Sequence, residues 1–219
     1  MNLVLFDLDN TLLGGDSDHA WSQFLIEEGV LDRDIYEQQN EKFYADYKSG
    51  KLDINAFLAF QSAPLVGRSA AELQAWHNRY MQKKIKSMIL EKGKALIDSH
   101  RGAEMAIVTA TNRFVTEPIA KVFGIDNLIA CELERDANGN YTGRGTGVPS
   151  YREGKIARVD SWLAGQGKRL DDYAHSYFYS DSLNDLPLLN HVTNPVAVDP
   201  DATLHAHATK MNWPIISLR

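Results

Sequence analysis

The chain has 219 residues, 23 basic and 29 acidic side chains and therefore a formal charge of −6; 44% of its residues are apolar. This composition is that of a folded globular protein, and the negative charge argues against nucleic acid as a partner, because nucleic-acid binding needs clustered lysine and arginine. The single cysteine predicts a cytoplasmic protein, because it cannot form an internal disulfide. No stretch approaches the ~20 apolar residues of a membrane span, so we expect no membrane partner.

The chain opens with a short apolar run, residues 2–6, that stops at Asp7. Such a run is typical of a strand buried on both faces of a parallel sheet. Strands that alternate with helices predict an α/β fold with a doubly wound parallel sheet. Similar runs recur at 105–108, 176–179, 195–198 and 214–217, helical patterns cover 90–100, 115–123 and 154–163, and turn residues within 132–141 predict a β-hairpin.

Residues 16–88 interrupt this alternation with four amphipathic helical patterns and no strand pattern. The breaks between them fall near Gly29, Gly50 and residues 64–67. Their aromatic stripes predict the core of a small helical bundle inserted after the first strand. We therefore expect an α/β core formed by residues 1–15 and 89–219, and an all-α cap formed by residues 16–88.

Two pairs of carboxylates follow predicted strands. Asp7 and Asp9 come directly after the first strand, and Asp181 and Asp185 follow the strand at 176–179. Ligands of doubly wound sheets bind beyond the carboxyl ends of the strands, so both pairs are expected at one site. Because neighbouring carboxylates repel one another, a cation is expected between them, and Mg²⁺ prefers oxygen ligands.

These segments resemble a known family. Asp-Leu-Asp-Asn-Thr at 7–11, Ile-Val-Thr at 107–109, Lys155 and Asp-Ser-Leu-Asn-Asp at 181–185 are similar, in order and position, to the four motifs of haloacid dehalogenase-type (HAD) phosphatases. The helical insertion is similar to the small C1 cap of the subclass that contains phosphoserine phosphatase. The resemblance implies a Mg²⁺-dependent phosphomonoesterase that acts on a small phosphorylated metabolite.

The resemblance also implies a catalytic role for each motif residue. Asp7 would attack phosphorus to form an aspartyl-phosphate, and Asp9 would donate a proton to the leaving oxygen and later accept one from water. The Thr109 hydroxyl and the Ala110 amide would bind a phosphoryl oxygen. Lys155 would supply a fixed positive charge against the phosphate.

A magnesium site is implied by the same motifs. The ligands would be the Asp7 side chain, the Asp9 backbone carbonyl and the Asp181 side chain. Asp185 would support this site by orienting a metal-bound water or Lys155.

The acidity of the cap bears on the substrate. Residues 16–53 contain ten acids and four bases, so this half of the cap carries all of the net charge. Asp16, Asp18 and His19 lie just after the catalytic loop and are candidate substrate contacts, and Asp16 has the spacing of the cap glutamate that contacts the substrate ammonium in phosphoserine phosphatases. An acidic group there favours a cationic substrate. Histidinol phosphate, with an ammonium and an imidazole but no carboxylate, fits this best.

Several alternatives stay open. Phosphoserine would need a cap arginine for its carboxylate, and Arg68 or Arg79 could serve. A phosphotransferase would use the same aspartyl-phosphate with an acceptor other than water. Non-enzymatic binding of a phosphorylated ligand is disfavoured, because no motif residue is missing. Both a monomer and a homodimer are compatible with the sequence.

Overall fold

A seven-stranded sheet runs through the protein, and the computed structural model describes all of residues 1–219. The strand order is β4-β3-β2-β1-β5-β6-β7, with every pair parallel except β3 and β4. The predicted α/β class is confirmed. The strands are β1 Asn2–Phe6, β2 Glu104–Asn112, β3 Leu128–Arg135, β4 Tyr141–Thr146, β5 His175–Ser180, β6 Asn194–Val198 and β7 Ile215–Ile216.

Helices cover both faces of the sheet and form the insertion after β1. They are α1 Ser17–Glu27, α2 Arg33–Lys48, α3 Ile54–Ser62, α4 Ala70–Tyr80, α5 Lys86–Met88, α6 Glu91–Ser99, α7 Arg113–Val122, α8 Glu153–Ala164, α9 Leu186–Leu189 and α10 Ala202–Met211. A π-helical turn over Met81–Ile85 joins α4 to α5. None of these helices is both long and apolar enough to cross a bilayer.

Strand β1 lies at the centre of the sheet and is buried on both faces, as its continuous apolar sequence predicts. Val4 and Phe6 belong to one apolar core, and Leu3 and Leu5 to the other. Burying each such side chain contributes about 1.5–3 kcal/mol, so this strand anchors both layers. Its carboxyl end, with Asp7, is thereby fixed between the ends of β2 and β5.

Strand β2 is longer than predicted and irregular at its end. The sequence predicts that it ends near Thr109, but it extends to Asn112. Its pairing with β3 shifts there: Val108 pairs with Ile129, and the next pair joins Asn112 to Cys131. Three residues of β2 therefore face one residue of β3, which is a bulge that re-aims the side chains of residues 109–111.

The inserted helices form two layers that differ in their packing. Trp21 of α1 contacts Tyr80 of α4 and Phe114 of α7, so α1 and α4 share the core of the sheet. Helices α2 and α3 lie outside this layer. Their aromatic rings pack against one another, with Phe43 centred 5.3 Å from Phe57. The cap boundaries at 15/16 and 88/89 stay a prediction.

The prediction that all aromatic stripes form a bundle core is wrong for α2. Ile35 is 60% exposed and Tyr44 is 49% exposed. The physical reason is that α2 packs on one side only, so most of its surface faces solvent or a cavity. Of this stripe, Phe43, Tyr44 and Tyr47 line the cavity described below, and Ile35 does not.

Candidate active site

Four predicted residues meet at the carboxyl ends of β1 and β5, and we call them the strand-end cluster: Asp7, Lys155, Asp181 and Asp185. Lys155 Nζ donates to Asp7 Oδ1 at 2.8 Å and to Asp185 Oδ2 at 2.7 Å. Its side chain is 2% exposed, so this lysine is buried between two carboxylates and is not a solvated surface group. Burial lowers the pKa of a lysine, but the charges of Asp185 and Asp7 outweigh burial and keep Lys155 protonated.

The chain around Lys155 is shaped to bring it there. Helix α8 begins at Glu153, so the lysine lies in its first turn. A Cβ on Gly154 would lie 2.0 Å from the carbonyl oxygen of Pro149, which only glycine avoids. Arg152, just before the helix, has φ 51°, a conformation uncommon for a residue with a side chain. A strained backbone conformation at Arg152 thus precedes the helical turn that places Lys155 against Asp7 and Asp185.

Asp7 and Asp181 share a single hydroxyl. Thr11 Oγ1 lies 3.3 Å from Asp7 Oδ2 and 3.3 Å from Asp181 Oδ1, and it accepts a hydrogen bond from the Asp181 amide at 3.2 Å. One hydroxyl proton cannot serve both carboxylates. Burial and the charge of Asp7 hold the pKa of Asp181 well above its usual range. Burial likewise raises the pKa of Asp7 to about 7, although Lys155 opposes the shift.

This donor set fits a hard divalent cation. Asp7 Oδ2 and Asp181 Oδ1 are oxygen donors that repel one another, and a cation between them would relieve the repulsion. The Asp9 carboxylate is engaged elsewhere, so only its backbone carbonyl is available. No group of three or more His, Cys, Asp or Glu side chains is arranged to hold a metal ion. Two carboxylates and one carbonyl leave positions for water and phosphate, as Mg²⁺ prefers.

Asp185 lies behind this site. Its carboxylate accepts from Lys155 and, at 2.7 Å, from Ser180 Oγ. It does not line the cavity described below, whereas Asp7 and Asp181 do. Asp185 therefore contacts Lys155 directly, and its role in orienting this lysine or a metal-bound water stays a prediction.

Three further acids, which we call the hinge carboxylates, lie where the chain enters the cap: Asp9, Asp16 and Asp18. Asp9 Oδ1 accepts from the Ser17 amide at 2.6 Å. Burial, together with the charge of Asp16, raises the pKa of Asp9 to about 6. None of the three forms an ion pair: every salt bridge in the protein joins other residues.

The cap side of this group is set by helix α1. Asp16 is its N-cap and accepts from the His19 amide at 2.9 Å. Asp18 is buried in its first turn, 3.4 Å from Asn112 Nδ2. Burial and the charges of Asp16 and Asp9 hold the pKa of Asp18 well above its usual range. The His19 side chain is exposed at the rim of the cavity.

The bulge in β2 supplies the remaining polar groups. Thr109 Oγ1 lies 3.4 Å from Asp9 Oδ2, and Ala110 lines the same cavity. Thr111 Oγ1 donates to Asp9 Oδ2 at 2.8 Å, a shorter bond than that of Thr109. The sequence interpretation missed Thr111. The signal was present, because hydroxyls two residues apart in Thr-Ala-Thr can face the same side of a strand.

A cavity of about 960 Å³ lies between the cap and the carboxyl ends of the central strands. Every predicted site residue except Asp185 lines it. Neither arginine suggested for a substrate carboxylate does so. Arg79 Nε binds Glu28 at 2.9 Å, and Arg68 pairs with Glu72 at 3.8 Å, so that expectation is wrong. Both arginines thus pair with acids of the cap and are partly exposed to solvent.

Comparison with known proteins identifies the family. Residues 4–190 match the haloacid dehalogenase-like hydrolases. The chain belongs to this family. A histidinol-phosphatase of Neisseria meningitidis serogroup C is 48% identical over 220 residues, covering 100% of this chain and 99% of that protein. A phosphoserine phosphatase of Mycobacterium tuberculosis is 30% identical and matches 99% of this chain and 70% of its own length.

Two solved structures share the fold of this chain. A protein of unknown function from Bordetella pertussis Tohama I has a TM-score of 0.93 at 43% identity and covers 100% of this chain and 99% of its own. A substrate-bound phosphoserine phosphatase has a TM-score of 0.65 at 20% identity, covering 99% and 92%, and so shares the fold. The predicted enzyme class, a HAD-type phosphatase, is confirmed by the matches in sequence.

The cap of this HAD hydrolase touches the site directly. Tyr47 of α2 donates its hydroxyl to Ser182 Oγ at 3.0 Å, and its carbonyl accepts from Asn184 Nδ2 at 2.9 Å. Arg152 Nη1 reaches the carbonyl of Gly50 at 3.1 Å. These contacts, which the sequence did not predict, seat the end of α2 on the loop that carries Asp181.

Proposed function

We propose that the protein is a Mg²⁺-dependent phosphomonoesterase that passes the phosphoryl group of its substrate to Asp7 and then to water. The observation that supports the proposal is that the Asp7 carboxylate lies between a lysine on one side and a hydroxyl and a second carboxylate on the other. Lys155 binds one of its carboxylate oxygens, and the other faces Thr11 and Asp181. A buried carboxylate held in one orientation is well placed for in-line attack.

The reaction then follows from the neighbouring groups. The Asp7 carboxylate attacks phosphorus, the bond to the ester oxygen breaks, and Asp9 donates its proton to that oxygen. In the second half, Asp9 takes a proton from water, which attacks phosphorus and releases phosphate and Asp7. Mg²⁺ on Asp7, Asp181 and the Asp9 carbonyl would neutralise phosphoryl oxygens.

Asp9 is suited to this double role. Its pKa, raised to about 6, leaves both the protonated and the ionised form accessible near neutral pH. The Thr111 hydroxyl donates to its second oxygen at 2.8 Å and fixes its orientation, whereas the Thr109 hydroxyl lies farther from that oxygen, at 3.4 Å. The Thr109 hydroxyl and the Ala110 amide are our candidates for binding the phosphoryl group, beside Lys155.

The substrate we propose is histidinol phosphate. The hinge carboxylates have no cationic partner within the protein, and a substrate ammonium would supply one. Phosphoserine loses the two cap arginines suggested as its carboxylate partners, because neither Arg68 nor Arg79 lines the cavity, whereas Arg152 and Arg219, which lie outside the cap, do. The relative at 48% identity is named a histidinol-phosphatase. The one cysteine, Cys131, is free and buried, which fits action in a reducing cytoplasm.

The test compares kcat/KM for histidinol phosphate, phosphoserine and p-nitrophenyl phosphate, with Mg²⁺ and with EDTA. We expect hydrolysis only with Mg²⁺, at least a ~10-fold preference for histidinol phosphate over phosphoserine, and loss of activity on all three in Asp7→Asn. Equal, weak activity on the two metabolites would reject the substrate, and full activity of Asp7→Asn would reject the nucleophile.

A further inference from the structure

Two buried amides lie on the cap side of the cavity. Asn40 of α2 is 7% exposed and Gln61 of α3 is 3% exposed, and both line the cavity. The Asn40 Nδ2 group has no hydrogen-bond partner in the protein. Buried amide groups are normally hydrogen-bonded, so an unpartnered one in a cavity wall is available to a ligand that enters the cavity.

Gln61 is held in place by helix α1. Its Oε1 accepts from Ser22 Oγ at 3.3 Å, and Ser22 is itself buried. Ser22 follows Asp18 by four residues, so the two lie on the same face of α1. The Gln61 amide therefore lines the cavity on the same side as Asp18, one of the hinge carboxylates.

The surroundings of these amides define what they can bind. Phe43 and Phe57, in edge-to-face contact, line the cavity beside them. The cap contributes a single lysine or arginine to the wall, Lys48, which is exposed and lies 4.3 Å from the centre of the Tyr44 ring. Without a buried cation, this wall disfavours a carboxylate. Amides and aromatic faces favour an uncharged planar group that both donates and accepts hydrogen bonds.

We propose that Asn40 and Gln61 form a specificity subsite for an uncharged nitrogen heterocycle, the neutral imidazole of the substrate, while its ammonium faces the hinge carboxylates. The inference rests on the proposed function and extends it to two residues that no motif marks. Neutral imidazole carries one donor and one acceptor nitrogen, and an amide can pair with either. With a free pKa of about 6.5, imidazole is mostly neutral at pH 7.5.

The test compares histidinol phosphate with phosphoethanolamine, which has the phosphate and the ammonium but no ring. We expect Asn40→Leu and Gln61→Met each to lower the ratio of the two kcat/KM values by about 10–100-fold, since an unmet hydrogen bond in a binding site discriminates strongly. Gln39→Met is the matched control, because Gln39 is exposed on the same helix as Asn40. It should leave the ratio unchanged.

Binding of the product histidinol, measured by calorimetry against ethanolamine, tests the subsite without turnover. Wild type should bind histidinol more tightly, and the two variants should lose that difference while unfolding cooperatively. Equal binding of the two ligands by wild type, or an unchanged preference in both variants, overturns the subsite even if phosphatase activity is present. If wild type hydrolyses none of the esters but still binds histidinol more tightly than ethanolamine, the proposed reaction is rejected and the subsite is not.

Discussion

The strand-end cluster and the hinge carboxylates are neighbouring groups of acids that differ in one respect, because only the first contains a cation. The first contains three acids around a buried lysine, whose ammonium binds Asp7 and Asp185 at 2.8 and 2.7 Å. The second contains three acids and no cation, and its members raise one another's pKa. Both groups lie at the carboxyl ends of the strands and under the same cap. They therefore differ mainly in whether a basic side chain pairs with their carboxylates.

This difference separates two functions within one cavity. The strand-end cluster is compensated in part, by the single positive charge of Lys155 among three acids, and the remaining repulsion between Asp7 and Asp181 suits a metal ion. The hinge carboxylates depend on hydrogen bonds from Ser17, Thr111 and other neutral donors. Asp16 and Asp18 therefore gain most from a cationic ligand, which places substrate recognition directly beside Asp9, the proposed acid and base.

Lys155→Met should break the compensated cluster and have the largest effect. Removing one partner of a buried charge network leaves its acids unpaired, so we expect the free energy of unfolding to fall by about 3 kcal/mol. Loss of a charge aimed at the transferring phosphate should also lower kcat at least ~100-fold. Urea unfolding and p-nitrophenyl phosphate hydrolysis measure the two effects.

The control for this prediction is Lys94→Met, because Lys94 pairs with Glu91 on the surface. We expect it to cost well under ~1 kcal/mol. If the two lysine variants unfold at the same urea concentration, the strand-end cluster does not depend on Lys155.

Asp16→Asn tests recognition at the hinge. Asparagine caps a helix as well as aspartate does, so the change removes charge and keeps α1. We expect the kcat/KM ratio of histidinol phosphate to p-nitrophenyl phosphate to fall by about 10–100-fold, since only the first ester carries an ammonium. Asp32→Asn at the exposed N-cap of α2 is the control. An equal ratio in both variants contradicts a recognition role for Asp16.

Asp18→Asn should raise the free energy of unfolding, because it removes a buried carboxylate that has no cationic partner. This effect is smaller than the two above. Because the folded state raises the pKa of Asp18, the folded protein holds a proton that the unfolded chain loses as pH rises above its ordinary pKa of 3.8. Wild type is therefore penalised increasingly toward neutral pH, and the variant is not. Urea unfolding in EDTA should show a gain on the order of 1 kcal/mol at pH 7 that shrinks toward pH 4.

The control for this pH dependence is Asp34→Asn on the exposed face of α2. It should show no such trend. A loss of stability in Asp18→Asn at pH 7 would mean that the hinge carboxylates are compensated after all.

Much of the fold and of the site could be predicted because both depend on local sequence. The apolar run 2–6 and the acids that end it determine a buried strand and a polar strand end, and the structure brings Asp7, Asp181 and Lys155 together as the motifs imply. The helix N-cap at Asp16 is likewise a local feature.

The rest depends on long-range packing that periodicity does not encode. Thr111 contacts Asp9 from the segment where the pairing of β2 with β3 shifts, and that shift is not encoded in the alternation of residues along β2. Tyr47 belongs to an aromatic stripe that predicts a bundle core, and no pattern marks Asn40, but in the structure both residues of α2 line the cavity. Arg68 and Arg79 were plausible partners for a substrate until their acids, Glu72 and Glu28, were located.

The covalent step is tested most directly by trapping the phosphorylated enzyme. The protein is mixed with substrate and Mg²⁺, quenched, and reduced with borohydride, which converts an aspartyl-phosphate to homoserine and releases phosphate. Asp9→Asn is used alongside wild type, because it should slow hydrolysis of the intermediate. Peptide mass spectrometry should then find homoserine at position 7, only when substrate is present. An unmodified Asp7, or homoserine at another position, would contradict the account.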